Sequence, residues 1–407
     1  WLKAHYPAHF LAGVLTHDPG MYPKRLLLEE ARRRGVRVLG PDVNASDDRY
    51  RAEALPDGGW GLRVGLADLL GIDSEELARI VAGQPFDSLT DFWRRARPDQ
   101  PTAERLVVAG AFDELYGINI ARVPGRRNRR DLMLAVADLH RADRAHRKAG
   151  HGPGQPSLEL AGAAVTDPMG FPTDVPLSGL PEMSDTDRVR AELDVLGLDI
   201  SRHVVDFHRP MLDAIGVTRA ADLLRQRNQS EVLVAGVKVA TQTPPVRSGQ
   251  RVVFLTLDDA SGPADAAFFA NAADWVGTVF AGWLLLVRGV VRRSGPRGIS
   301  LRATGCWDLP ALDAIWRETL RTGTRADAAA AVRAVLEGPA PGAGEGDGGP
   351  GVNRVLVHAS GFTQSAYADV RTAGSVEPRR NLWHASPGSS GPTAGGGSGM
   401  RTTGRGW

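Results

Sequence analysis

From residue 231 onward the apolar pattern changes from the spacing of helices to the alternation of strands. EVLVAGVKVA, RVVFLTLD, PADAAFF, WLLLVRGVVRR and GISLRAT are five strand-like runs. Between the third and the fourth, NAADWVGTVFAG reads as a short helix. Five strands with a helix in that gap predict an OB-fold over 230–310, a five-stranded β-barrel whose surface suits oligonucleotides. Such a surface needs cations to track a backbone and rings to stack on bases. Lys238, Arg247, Arg251, Arg292, Arg293 and Arg297 supply the charge. Phe254 is placed either to stack on a base or to fill the core.

Upstream the pattern is helical. In WLKAHYPAHFLAGVL, Leu2, Tyr6, Phe10 and Val14 recur near every fourth position, so one helix with that face inward is expected. The chain opens on Trp1, inside that helix and without a cap, as the tail of a longer protein would. Pro23 opens a second helix and Gly35 closes it, and VRVLG follows as a short strand. DSEELARIVAG carries Asp73 as cap, Glu76 three residues on and Gly83 as stop. SLTDFWRRARP and PTAERLVVAGAFDEL complete a run over 60–118 of short helices joined by glycine turns. Such turns can aim backbone N–H groups at a DNA phosphate without reading sequence. Gly71 in LLGID and Gly110 in VAGAF are the candidates, although Asp73, Glu75 and Glu76 beside the first oppose an anion.

The most basic stretch comes next: RVPGRRNRR predicts an exposed loop presenting Arg126, Arg127, Arg129 and Arg130. RDLMLAVADLHR predicts a helix with Leu132, Ala135, Val136 and Leu139 inward. A Gly/Pro-rich connector runs to about 181, and 185–227 is helical with breaks at Gly197 and Gly216. Within the connector, GQPSLELAG could lie extended in an apolar groove of a partner, with Gln155 as polar anchor and Leu158 and Leu160 as apolar ones. Beyond 340 the chain is rich in Gly, Pro and Ser, and disorder is expected from about 386.

Composition narrows the chemistry. Cys306 is the single cysteine, which rules out an internal disulfide or a cysteine-rich zinc cage and suits a reducing, cytoplasmic compartment. No apolar stretch is long enough for a membrane span, and neither a G-x-G-x-x-G nor a P-loop is present. FLTLDDASG places Asp258 and Asp259 side by side, and two-metal nucleotidyl transfer uses paired acids. Neighbouring strand residues face opposite ways, however, so this pair reads as the turn that ends a strand. Asp185 and Asp187 form the one D-x-D, and they sit at the start of a helix that Ser184 can cap. No metal site is expected.

Taken in order, WLKAHYPAHFLAGVL, GVRVLGPDVNASD, GLRVGLADLLGI, PFDSLTDFWRRA, LVVAGAFDELYG, LPEMSDTDRVRAELDVLGLDISRH, VVFLTLDDASG and NLWHASPGSSG resemble the C-terminal part of the bacterial DNA polymerase III alpha subunit family, the C-family polymerases. PDVNASD, LPEMS and LWHASPGSSG are similar to its error-prone, damage-tolerant ImuC-type branch. The resemblance runs over roughly 1–390. It implies an α+β multidomain chain: the end of the fingers over 1–45, a tandem helix-hairpin-helix region over 46–150 and a connector with helices and a clamp-binding peptide over 151–229. The OB-fold barrel over 230–310 and a helical segment with a disordered tail over 311–407 complete it. It implies primer–template duplex and single-stranded template as partners, with the sliding clamp and translesion accessory proteins beside them.

The activity implied for the whole family is template-directed DNA synthesis in damage-induced translesion repair, with Mg2+. In family order the PHP domain and the palm with its catalytic aspartates lie upstream of Trp1, so this chain alone is expected to be inactive. Val204 stands where relatives place proline, and Leu160 where clamp peptides often carry an aromatic. A free-standing, non-catalytic single-stranded-DNA-binding accessory protein built from the same modules is the alternative.

Overall fold

The first helix is two helices. Pro7 has no N–H to donate back to the preceding turn, so α1 (Leu2–His5) stops and α2 (Pro7–His17) restarts with Pro7 in its first turn. The break rotates the buried face. Ala8, Leu11, Ala12 and Leu15 pack inward, whereas Leu2 (57% exposed) and Tyr6 face out and Phe10 and Val14 are only half-buried. The expected face over Leu2, Tyr6, Phe10 and Val14 is therefore wrong. α3 (Lys24–Arg33) follows and ends at Gly35, whose φ of +74 lets the Val36 N–H reach the Ala31 carbonyl.

The computed structural model describes residues 1–18, 20, 22–118, 126–149, 175–244, 252–296 and 298–338. β1 (Arg37–Leu39) is the expected short strand, but it has unexpected neighbours. β2 (Arg51–Ala54) and β3 (Trp60–Arg63) form a hairpin, and β3 runs parallel to β1 to give the order β1-β3-β2. Gly61 is what lets the strands close up, because a Cβ there would lie 2.8 Å from Leu39 Cδ1.

The helical run expected from residue 60 thus opens on a strand, and from Ser74 it proceeds as read: α4 (Ser74–Gly83), α5 (Leu89–Ala96), α6 (Gln100–Ala109), α7 (Asp113–Tyr116) and α8 (Arg129–Ala149). Asp73 and Ser88 cap α4 and α5 with their side chains. Phe86, Phe92 and Phe112 stack edge to face at 5.1 Å between successive centroids, and each is fully buried. Removing one such ring from water stabilises the fold by about 2–3 kcal/mol. Leu132, Ala135, Val136 and Leu139 of α8 close this first core, as their spacing predicts.

α9 (Asp185–Leu196) starts on a reciprocal capping box between Ser184 and Asp187 and ends at Gly197; α10 (Arg209–Ile215) ends at Gly216. The single D-x-D is thus helix-start chemistry. The second core is a closed barrel of β4 (Glu231–Gln242), β5 (Val253–Asp258), β6 (Pro263–Phe268), β7 (Leu284–Arg293) and β8 (Ile299–Asp308), in the order β4-β5-β6-β8-β7. The β6–β8 pair is parallel, and the other four are antiparallel. α11 (Val276–Ala281), preceded by a 3-10 turn, bridges β6 and β7 where the short helix was expected. α12 (Leu309–Thr322) and α13 (Arg325–Glu337) press Leu312, Trp316, Val332 and Leu336 into the barrel's core cluster.

One face of α3 joins the two cores. Arg25 donates to both oxygens of Asp199 at 2.8 and 2.6 Å, and its guanidinium lies 5.0 Å from the Trp283 ring at the barrel. Arg32 donates to the carbonyls of Asp199 and Ile200, and Arg33 sits 3.7 Å from Asp258. Arg25, Glu29, Asp199, His203 and Asp258 are all buried here.

Candidate nucleic-acid interface

Strand parity decides what the barrel shows to solvent. On β5, Val253, Leu255 and Leu257 point inward, which turns Phe254 out at 45% exposure. Phe254 pairs with Gln242 on β4 and with Ala267 on β6, and Ala267 pairs in turn with Arg302 on β8. Phe269, two residues beyond Ala267, is 42% exposed. Two open phenyl rings and an exposed guanidinium therefore share one outer face. Arg302 and Phe269 escaped the sequence reading. The parity of GISLRAT, with Leu301 and Ala303 inward, marks Arg302 as outward, but its place beside β6 follows only from barrel closure.

The expected barrel cations divide. Arg292 is exposed at the end of β7, opposite Ser300. Arg293 is exposed as well, but its guanidinium donates to the carbonyls of Leu224 and Gln226 and so ties the barrel to the preceding turn. Lys238 is a correction. It is buried, its Nζ donates to the carbonyls of Val279 (2.8 Å) and Phe280 (3.0 Å) at the end of α11, and burial pushes its pKa down to about 8. That ammonium holds a helix end and is not presented on the barrel's outer face. Arg247, Arg251 and Arg297 lie outside the described residues.

The two glycine turns also divide. Gly71 and Gly110 both have positive φ, +75 and +87. The Leu70–Gly71 turn is exposed and borders a cleft of about 590 Å3 that is also lined by Lys24, Arg25, His203 and Trp283. Lys24 is already paired with Asp68 at 2.6 Å. The acids that opposed an anion there are partly spent: Asp73 accepts the Glu75 N–H, and buried Glu76 accepts the Asp99 N–H and the Thr102 hydroxyl. Gly110 is the second correction. It is buried, its N–H donates to the Val107 carbonyl, and the Arg129 guanidinium covers it.

Arg129 itself is the third. It is buried and bonded to both oxygens of Asp113 and to the Val108 carbonyl. Burial raises the Asp113 pKa even though Arg129 pulls it down. Of the other loop arginines, Arg126 is exposed, Arg127 donates to the Val175 carbonyl, and Arg130 lies 3.8 Å from Asp187.

Two families match the regions that carry these turns and this barrel. The helix-hairpin-helix motif family matches residues 35–122, and the OB-fold nucleic acid binding domain family matches 232–309. An error-prone DNA polymerase of Nocardia farcinica is 37% identical over 268 residues, 64% of this chain and 21% of its own length. One from Symbiobacterium thermophilum is 31% identical over 304 residues, 67% of this chain and 26% of its own. The chain is a homologue of part of the error-prone DNA polymerases. A DNA polymerase III subunit alpha, from Vibrio cholerae, is 29% identical over 70% of this chain and 23% of its own length. The chain thus spans about a quarter of the length of these polymerases.

A polymerase homologue raises the question of paired acids again. DDASG is the β5–β6 turn, with Ala260 at φ +74. Asp259 accepts the N–H groups of Ala220 and Ser261, and Asp258 faces Arg33 and, at 4.0 Å, His203. These carboxylates are each engaged by separate partners and do not fit a two-metal site. Among the described residues no three His, Cys, Asp or Glu side chains gather where they could hold a metal ion. No described helix is long and apolar enough to cross a membrane. Gln155, Leu158 and Leu160 lie outside the described residues.

Proposed function

We propose that this chain is the DNA-engaging part of an error-prone polymerase that copies damaged template. Its helix-hairpin-helix region grips the primer–template duplex, and its barrel holds the single-stranded template. The observation that carries the reading is the shared outer face of Phe254, Phe269 and Arg302 on a barrel that follows a helix-hairpin-helix region in the same chain. Rings on which bases stack, next to a cation that meets the phosphates, bind single strands with little regard for sequence. Nucleotidyl transfer, with its Mg2+, is assigned to the catalytic parts of the polymerase and not to the described residues of this chain. The sliding clamp is a further partner through Gln155, Leu158 and Leu160.

Binding of labelled single-stranded, duplex and primed DNA across a salt series tests the reading. Primed DNA is expected to bind at least as well as single-stranded DNA, with log K falling linearly in log salt by about 0.9 per phosphate neutralised on duplex. No binding in low salt, or binding indifferent to salt, overturns it. A strong preference for single strands over the primed junction would favour the free-standing accessory protein instead.

A further inference from the structure

The two glycine turns of the helix-hairpin-helix region are built alike and finished differently. Each is overlain by an arginine from a later helix. A Cβ on Gly71 would lie 2.7 Å from Nη1 of Arg105, and one on Gly110 would strike the guanidinium of Arg129. In each case only glycine leaves room for the cation and tolerates the positive φ. At Gly110 the charge is consumed by Asp113, and the whole turn is buried. At Gly71 nothing consumes it: Arg105 has no hydrogen-bond or ion-pair partner among the described residues. The Leu70–Gly71 turn beside it is open, with Leu70 63% exposed.

We propose that Arg105, seated over the exposed Leu70–Gly71 turn, is the phosphodiester contact of this region, and that the Gly110 turn is structural only. The inference rests on the DNA-binding reading above. The end of α4 is not the anion site, because Asp73 already caps it. Of the charges near the turn, Asp73 and Glu75 are exposed, Glu76 is buried and bonded, Asp68 is paired with Lys24 and Tyr50, and Asp18 and Arg25 line the adjoining cleft. A phosphate reaching Arg105 thus meets an unpaired guanidinium, with two solvated carboxylates at the rim. Arginine can present two parallel N–H groups to a phosphate, so the contact is expected to be directional as well as electrostatic.

Arg105→Gln and Arg105→Lys, each checked for unchanged melting, are compared with the parent on a short duplex across a salt series. Arg105→Gln is expected to weaken binding by about tenfold and to make the salt slope shallower by about one ion. Arg105→Lys should keep the slope while losing part of the affinity. If the parent binds duplex and Arg105→Gln binds it equally well with the same slope, the assignment is wrong and the broader reading stands. If the parent itself fails to bind duplex in low salt, both fall together. A lysine variant as weak as the glutamine variant, with the parent slope in both, would mean a packing role and would also overturn it.

Discussion

Lys238 and Arg302 are both cations on strands of one barrel, yet only Arg302 is open to a partner. The difference is parity and neighbourhood. Lys238 lies where β4 shifts register between Lys238 and Ala240, and its ammonium is drawn under α11. Arg302 sits between two inward residues on an undisturbed stretch of β8 and is held outward. Phe254 obeys the same rule, so Phe254→Ala should leave the barrel core intact. Stacking of a base on an aromatic ring is worth about 1–3 kcal/mol. Phe254→Ala combined with Arg302→Gln is therefore expected to weaken single-strand binding by at least tenfold and duplex binding far less. Equal losses on both, measured by anisotropy, would remove this face from the single-strand site. Parity was readable from the sequence at Phe254 and Arg302, but the register shift that removes Lys238 from the surface was not.

At the scale of elements, what carried a strong local signal was legible. The barrel strands are apolar-rich runs of six residues or more, and α8 repeats Leu132, Ala135, Val136 and Leu139 at helical spacing. The β2–β3 hairpin was missed because RAEA and WGLR are four residues each, hold no β-branched side chain, and owe their pairing to β1 and to Gly61. The first helix was misread because Pro7 resets its face. Arg129 was misplaced because a basic run says nothing of Asp113, sixteen positions earlier and bonded to it. Gly110 and Gly216 allow that bond's contribution to be isolated. Both have positive φ, +87 and +82, but a Cβ on Gly216 meets nothing within 4 Å. Gly216→Ala should cost only the backbone strain, about 1 kcal/mol. Gly110→Ala should add a disrupted buried ion pair, roughly 3 kcal/mol more. Denaturant melts of the two variants check this, and similar losses would show that Arg129 moves aside freely.

For the whole molecule the decisive structure is the joint between the cores, which no single segment announces. It sets Arg25, Arg32 and Arg33 of α3, with Arg209 of α10, against Glu29, Asp199, Asp258 and Asp259, with His203 among them. Burial pushes Asp258 up to about 6, although Arg33 opposes it, and burial pushes His203 down to about 4. Glu29 is raised to about 7, again by burial and against Arg32. The signs oppose one another. An acid whose folded pKa is raised binds its proton more tightly when folded, so Asp258 lowers stability as pH rises from its ordinary value of 3.8 to about 6. Glu29 acts in the same sense from 4.5 to about 7. A histidine whose folded pKa is depressed does the reverse, so His203 raises stability between about 4 and 6.5.

Asp258→Asn removes its own contribution together with the part of the Glu29 rise that comes from the Asp258 charge. The stability of the parent minus that of the variant should fall by up to about 3 kcal/mol between pH 4 and about pH 7 and be flat above. Denaturant titrations of parent and variant at matched pH give that difference directly. Because Asp258 belongs to the barrel and Arg33 to the first core, the same window should show in the joint. Hydrogen exchange in α3 and around Asp199 should be slower in the parent at pH 5 than at pH 7, after correction for intrinsic rates, and Asp258→Asn should shrink the difference to the part that Glu29 contributes. A flat difference curve would mean that Asp258 keeps its ordinary acidity, and that the two cores are held together by the Arg25–Asp199 pair and the packing of Trp283 instead.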